Sequence, residues 1–360
     1  IQMAMITVPM MSIGPKQPKA SKGKYYGAVM VQQAYFSILS SITVYIGVKI
    51  STIFYPEWGI GHIALPLALV CFFSQNQDFL RRFFFTTNKH GIAVINDSIS
   101  YLGQLVLLIC LFFTIDMDTK SVLLTIAGTS AIAVVFGFFT LKNIHFTFNH
   151  LTHVFKQNWH FSKWMTASAV LQWTSGNLFL VAAGSILGTT AVGAIKASQN
   201  IMGISHILFQ GMENIVPVKT SLHFTKSGIK GLIIYLKKVL IWGGLATAII
   251  ALTASIFPEF WLTLFYGSQY QKFGFILQWY AVIYIFIFLG LPLRAALRSF
   301  ETTRPIFIAY VIMTIFSVCT AKYFTLHFGI QGVMAGILGT QLILQCYLFN
   351  ALNHNIKTKK

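Results

Sequence analysis

The chain has 360 residues, with 26 Lys+Arg against 8 Asp+Glu and a formal net charge of +18. Hydrophobic residues make up 56% of it and charged residues only 9%, where soluble domains carry about 25% charged residues. A soluble globule could not hide so much apolar side chain, a disordered chain would not contain it, and a basic nucleic-acid binder would need a polar surface to carry its charge. An all-α polytopic membrane protein remains.

The first apolar stretch, 1–14, is too short for the roughly 30 Å of hydrocarbon. It reads as the second part of a cut helix, so the first helix and part of the second are expected to be missing from this fragment. Full spans are predicted over 25–50, 58–80, 92–115, 121–140, 164–187, 190–218, 232–257, 274–296, 303–325 and 330–352. Most basic residues fall on alternate loops: Lys16, Lys19, Lys22 and Lys24; Arg81, Arg82 and Lys89; Lys142, Lys156 and Lys163; Lys219, Lys226, Lys230, Lys237 and Lys238; Arg294, Arg298 and Arg304; Lys357, Lys359 and Lys360. The opposite loops hold Glu57, Asp116, Asp118, Glu259 and few lysines. The positive-inside rule makes the basic side, and the C-terminus, cytoplasmic. Cys71, Cys110, Cys319 and Cys346 sit in apolar runs without metal-ligand spacing and read as small core hydrophobes.

The longest polar interruption, 141–163, mixes aromatics with Lys and His as an interfacial helix would. It divides the chain into a truncated N-terminal transmembrane lobe (1–140), a cytoplasmic amphipathic linker (141–163) and a C-terminal transmembrane lobe (164–360). Six helices per lobe would make the two a parallel repeat. A faint echo supports this: Val8-Pro9 and Val216-Pro217 both lie near the cytoplasmic end of an inward-running helix. The linker histidines His145, His150, His153 and His160 lack ligand spacing, so no metal site is expected.

Within 190–218, helical spacing places Lys196, Gln199, Asn200, Gly203, His206, Gln210, Glu213 and Asn214 on one face. A polar stripe along a membrane helix must face a hydrated cavity or another helix. A hydrogen-bond seam would explain the amides, but a lysine and a glutamate exceed what a seam needs. Asp97, Ser100, Tyr101 and Gln104 form a smaller stripe in 92–115, and Gln172, Ser175 and Asn177 a less regular one in 164–187. Asp78 is spaced to pair with Arg81 and Arg82. Arg294 and Arg298, one turn apart, suit either topology anchoring or a basic vestibule for an anionic headgroup. No nucleotide or hydrolase motif is present, so no cofactor and no enzymatic activity is expected.

Several stretches are familiar: SQNQDFLRRFFF (74–85), NDSISYLGQ (96–104), WTSGNLFLVAAGSILGTTAVGAIKASQNIMG (173–203), LFQGMENIVP (208–217) and LPLRAALRSFETTR (291–304). They resemble Wzx-type flippases of the multidrug/oligosaccharidyl-lipid/polysaccharide (MOP) exporter superfamily. The resemblance implies a MATE/MOP-like fold of two six-helix lobes around a central cavity. It also implies movement of polyprenyl-diphosphate-linked oligosaccharide, such as an O-antigen or capsule repeat unit, from the cytoplasmic to the outer leaflet of a bacterial inner membrane. A diphosphate out of water needs cations, and Lys196, with Arg294 and Arg298, would supply them. Gln199, Asn200, Gln210 and Asn214 would bond sugar hydroxyls, and Trp173 would stack on a sugar. Glu213, Asp97 and His206 are candidate carriers for coupling to a proton or sodium gradient. The expected partners are the lipid-linked oligosaccharide, membrane lipids and a polysaccharide polymerase, with no nucleic acid. A multidrug/cation antiporter of the same superfamily is the nearest alternative. It would favour carboxylates over a lysine in its cavity. A membrane polymerase or ligase would need a long catalytic outer loop, and the longest outer loop, 258–273, has one carboxylate.

Overall fold

The computed structural model describes residues 1–114, 118–141 and 151–358, with Lys19 by its backbone alone. Asp116, Lys142, His145, His150, Lys359 and Lys360 lie outside the described residues. Every regular element among the described residues is helical, and eight helical segments are long and apolar enough to cross a membrane. The chain divides into two compact units, Ile1–His160 and Phe161–Lys360.

The first unit contains α1 (Val8–Ile13), α2 (Lys19–Phe54), α3 (Ala64–Thr86), α4 (His90–Asp97), α5 (Gly103–Thr114) and α6 (Thr119–Phe139). A π-helical turn, Ser98–Leu102, joins α4 to α5. The predicted span 92–115 is therefore one helical path whose register shifts half-way, and the face shared by Asp97 and Gln104 in an ideal helix is not preserved. The start of α6 is fixed by a capping box. The Asp118 carboxylate accepts from the Ser121 backbone N–H at 2.8 Å, and Ser121 Oγ accepts from the Asp118 N–H at 3.3 Å. These bonds hold the Asp118 carboxyl below its usual range.

Helix α7 (Leu151–Leu187) runs unbroken through 37 residues, and the boundary between the units falls inside it. Residues 151–163 therefore continue the span expected over 164–187, because nothing in 151–187 interrupts the backbone hydrogen bonding. The second unit continues with α8 (Thr189–Ile201), α9 (Ile204–Ile256), α10 (Pro258–Tyr266), α11 (Gly274–Ser299) and α12 (Arg304–Thr358). With 53 and 55 residues, α9 and α12 are each far longer than the ~20 that cross a bilayer. Each is broken at one glycine, Gly228 (φ 58°) and Gly329 (φ 56°), in backbone conformations that cost little only without a Cβ. Each therefore supplies two arms, matching the apolar runs that predicted separate spans.

The core of the second unit gathers Phe179 from α7, Phe209 from α9, and Leu277, Tyr284 and Phe288 from α11. Between membrane helices such packing stabilises through close contact rather than through escape from water. The cysteines correct one expectation. All four are free, and Cys110, Cys319 and Cys346 are exposed on the surface of the chain rather than in its core. An apolar run in a membrane helix faces lipid as readily as it faces a neighbour, so hydropathy alone does not assign a core.

Candidate substrate-binding site

The single polar stripe expected along 190–218 is divided in the structure. α8 ends at Ile201 and α9 starts at Ile204. At the break, a Cβ on Gly203 would meet the Asn200 carbonyl oxygen at 2.6 Å, so only glycine allows the close return of the chain. The turn changes the angular register, and extrapolating one helical period through it misplaces residues on the far side. Lys196, Gln199 and His206 line a cavity of about 320 Å³ in the second unit. Asn200 instead lines a separate apolar hollow with Ile201, Ile204, Trp261 and Phe265. Gln210, Glu213 and Asn214 line neither.

The cavity is completed from other helices. α7 contributes Gln172, Ser175 and Asn177, α11 contributes Tyr280, Tyr284 and Arg294, and α12 contributes Tyr310, Thr340 and Gln341. Its ionisable cations are Lys196 and Arg294, and no carboxylate is among its lining residues. Lys196 Nζ donates to Gln199 Oε1 at 3.0 Å. Tyr284 Oη and His206 Nε2 lie 2.8 Å apart, tying α11 to α9, and the His206 ring meets the Tyr284 ring edge-on at 5.3 Å. Two cations, an imidazole, four tyrosine or threonine hydroxyls and four amides form a surface for an anion carrying hydroxyls.

Several predicted residues lie elsewhere. Trp173 is 72% exposed and is not among the residues lining the cavity. Arg298 lies one turn beyond Arg294 and does not line the cavity. Asn214 is buried, with its carbonyl oxygen unpaired. Glu213 is half-buried without an ion pair among the described residues. Asp97 belongs to the first unit, where Gln77 Nε2 donates to it at 2.8 Å.

Sequence reasoning missed the α12 contribution. Thr340 and Gln341, and Gln345 one turn further on, are polar residues in the middle of a largely apolar span, and that position was the available signal. It also underweighted a polar network in the first unit. Gln77 also donates to Asn96 Oδ1 at 3.3 Å, and Asn96 Nδ2 donates to the Ala133 carbonyl at 2.6 Å. Asn76 donates to Ser37 Oγ at 2.9 Å, and Gln33 joins Gln2 and the Gln75 carbonyl. Asp78 pairs with Arg81 and, at 3.2 Å, with Arg82, as the three- and four-residue spacing predicts.

No curated protein sequence matches the chain. Residues 165–321 match the MatE family. Among solved structures, the Vibrio cholerae MATE transporter VcmN superposes with a TM-score of 0.83 at 14% identity, over 99% of this chain and 84% of that one. The fold is that of the MATE transporters. A MOP superfamily transporter from Pyrococcus furiosus, whose reversed binding-pocket polarity is described as suggesting a different function, gives a TM-score of 0.80 at 14% identity over 100% and 85% of the two chains. A multidrug resistance MATE family transporter in an outward-facing conformation gives 0.74 at 13% identity over 99% and 84%. The MatE match contains Lys196, His206, Tyr284 and Arg294, while Thr340 and Gln341 lie beyond it.

Proposed function

We propose that this chain is a secondary transporter that moves an anionic, hydroxyl-rich amphiphile across the membrane. The substrate class we assign is a polyprenyl-diphosphate-linked oligosaccharide carried from the cytoplasmic to the outer leaflet of a bacterial inner membrane, with the C-terminus cytoplasmic. One observation carries this reading: the cavity presents Lys196 and Arg294 with no carboxylate among its lining residues. A diphosphate leaving water needs charge-assisted donors, whereas a cationic drug in the same cavity would meet like charge. Gln172, Asn177, Gln199 and Gln341 provide donors and acceptors for sugar hydroxyls. Coupling to a proton or sodium gradient would use His206, Glu213 or Asp97, ionisable groups on the long apolar helices.

The second reading, a multidrug antiporter, is favoured by the solved structures, several of which are named as multidrug or MATE transporters. Those similarities support drug export more directly than lipid flipping. The charge of the cavity supports the anionic substrate. The two separate in proteoliposomes containing the full chain. A fluorescent polyprenyl-diphosphate saccharide should become accessible to a membrane-impermeant quencher on the opposite leaflet faster than in protein-free vesicles. Ethidium should not be pumped under an imposed proton or sodium gradient. Gradient-driven ethidium transport without saccharide-lipid translocation would establish the antiporter instead.

A further inference from the structure

An apolar groove of about 570 Å³ runs along the second unit, lined by α9 (Leu236, Leu240), α11 (Leu289, Pro292) and α12 (Cys346, Phe349), among others. Gln345 also lines it. That side chain is 7% exposed, and neither its amide nitrogen nor its amide oxygen has a hydrogen-bond partner. An orphan amide at membrane depth is costly, so its retention points to a polar group supplied from outside the chain.

One cavity residue, Arg294, and one groove residue, Gln345, lie side by side over Gly290. A Cβ there would lie 2.7 Å from Arg294 Nη1 and 2.8 and 2.9 Å from the two polar atoms of Gln345. Arg294 lines the cavity and Gln345 lines the groove, so the cationic cavity and the apolar groove are neighbours with these two side chains between them. From Gln345 to Ile356 the groove follows twelve residues of α12, about 16 Å of helix rise, roughly half the hydrocarbon thickness. Lys237 and Asn353 mark its polar end.

We propose that this groove holds the hydrocarbon tail of the same ligand whose anionic head occupies the cavity, with Gln345 bonding an oxygen at the head–tail junction. The inference rests on the anionic reading of the cavity. It assigns tail recognition to α9, α11 and α12, and places the head–tail junction beside Gly290, where the Arg294 and Gln345 side chains must part to admit the ligand. The bound molecule would be a single-chain anionic amphiphile, since one apolar groove adjoins one cationic cavity.

The test uses two probes that share a diphosphate head: isopentenyl diphosphate, almost tailless, and geranylgeranyl diphosphate, with a long tail. The purified full chain in detergent should bind the long probe at least about tenfold more tightly than the short one after each probe's partition into protein-free micelles is subtracted. Cys346→Trp, which narrows the groove next to Gln345, should strongly reduce that preference and leave short-probe binding unchanged. In the unsubstituted chain, the long probe should shield Cys346 from N-ethylmaleimide, read on the Cys346 peptide by mass spectrometry, and the short probe should not. A tail-length preference that survives undiminished in Cys346→Trp, or alkylation of Cys346 unaffected by the long probe, overturns the groove assignment while the cavity reading stands. Failure of both probes to bind, or equal binding of both by Lys196→Ala and the unsubstituted chain, overturns the cavity reading and the groove with it.

Discussion

In the first unit Gln77 bridges Asn96 and Asp97, Asn76 reaches Ser37, and Asp78 takes Arg81 and Arg82. In the second, Lys196 has one amide partner, and Arg294 faces a cavity lined by tyrosines and amides and no carboxylate. Both units carry polar groups at membrane depth, where an unmet group is expensive. The first ties most of these groups internally, although Gln32, Arg81 and Arg82 each keep one buried nitrogen without a hydrogen-bond partner. The second leaves charge and hydrogen-bonding capacity facing open space, which is what a ligand site requires. Polarity inside a membrane helix therefore does not identify a site; unmet polarity facing a cavity does.

The largest effect expected from this contrast is on transport. Lys196→Ala combined with Arg294→Ala should lower saccharide-lipid translocation by at least about tenfold, since charge-assisted hydrogen bonds are worth about 1.5–3 kcal/mol each. Thermal stability in detergent should stay close to that of the unsubstituted chain. Normal translocation by the double variant would mean that these cations orient helices and nothing more.

The first unit should answer in stability instead. Asn96 is fully buried, and Asn96→Leu would leave the Gln77 amide and the Ala133 carbonyl without that partner. A loss on the order of 2–3 kcal/mol follows, visible as a lower melting temperature. Translocation per folded molecule should hold. A large fall in that specific rate, with unchanged melting, would move a functional site into the first unit and break the contrast.

These two outcomes also show what could be read from residues alone. Apolar runs located the spans, because twenty consecutive apolar side chains have few other uses. The pairing of Asp78 with Arg81 and Arg82 followed from local spacing, which helices preserve. The cavity was only half legible. Lys196 and Gln199 share it with His206, but the break at Met202–Gly203 carried Gln210, Glu213 and Asn214 off it, and a helical wheel has no term for a break. Tyr280, Tyr284 and Tyr310 were hidden because a tyrosine in an aromatic run looks like packing until its neighbours are known.

A smaller effect tests whether any polar contact in the second unit is an internal tie like those of the first. The His206–Tyr284 hydrogen bond links α9 to α11 at the cavity wall. Tyr284→Phe should cost about 1 kcal/mol, and a double-mutant cycle with His206→Phe should return a coupling of about 0.5–1.5 kcal/mol. Additive effects would mean that the two rings only pack, as their edge-on contact permits.

The smallest effect lies outside the membrane-spanning part of the first unit. Ser121 holds the Asp118 carboxyl below its usual range, chiefly through the backbone N–H bond and then through its side chain. A carboxyl whose folded value is depressed stabilises the fold above its unfolded value of about 3.9, and that contribution fades as pH falls through the lower folded value. Asp118→Asn keeps an oxygen that can accept from the Ser121 N–H but cannot titrate. The melting temperatures of Asp118→Asn and the unsubstituted chain should therefore differ slightly near neutral pH and converge below about pH 4, with translocation the same in both. A difference that grows on acidification would reverse the sign and show that the charge of Asp118 opposes the capped helix rather than supporting it.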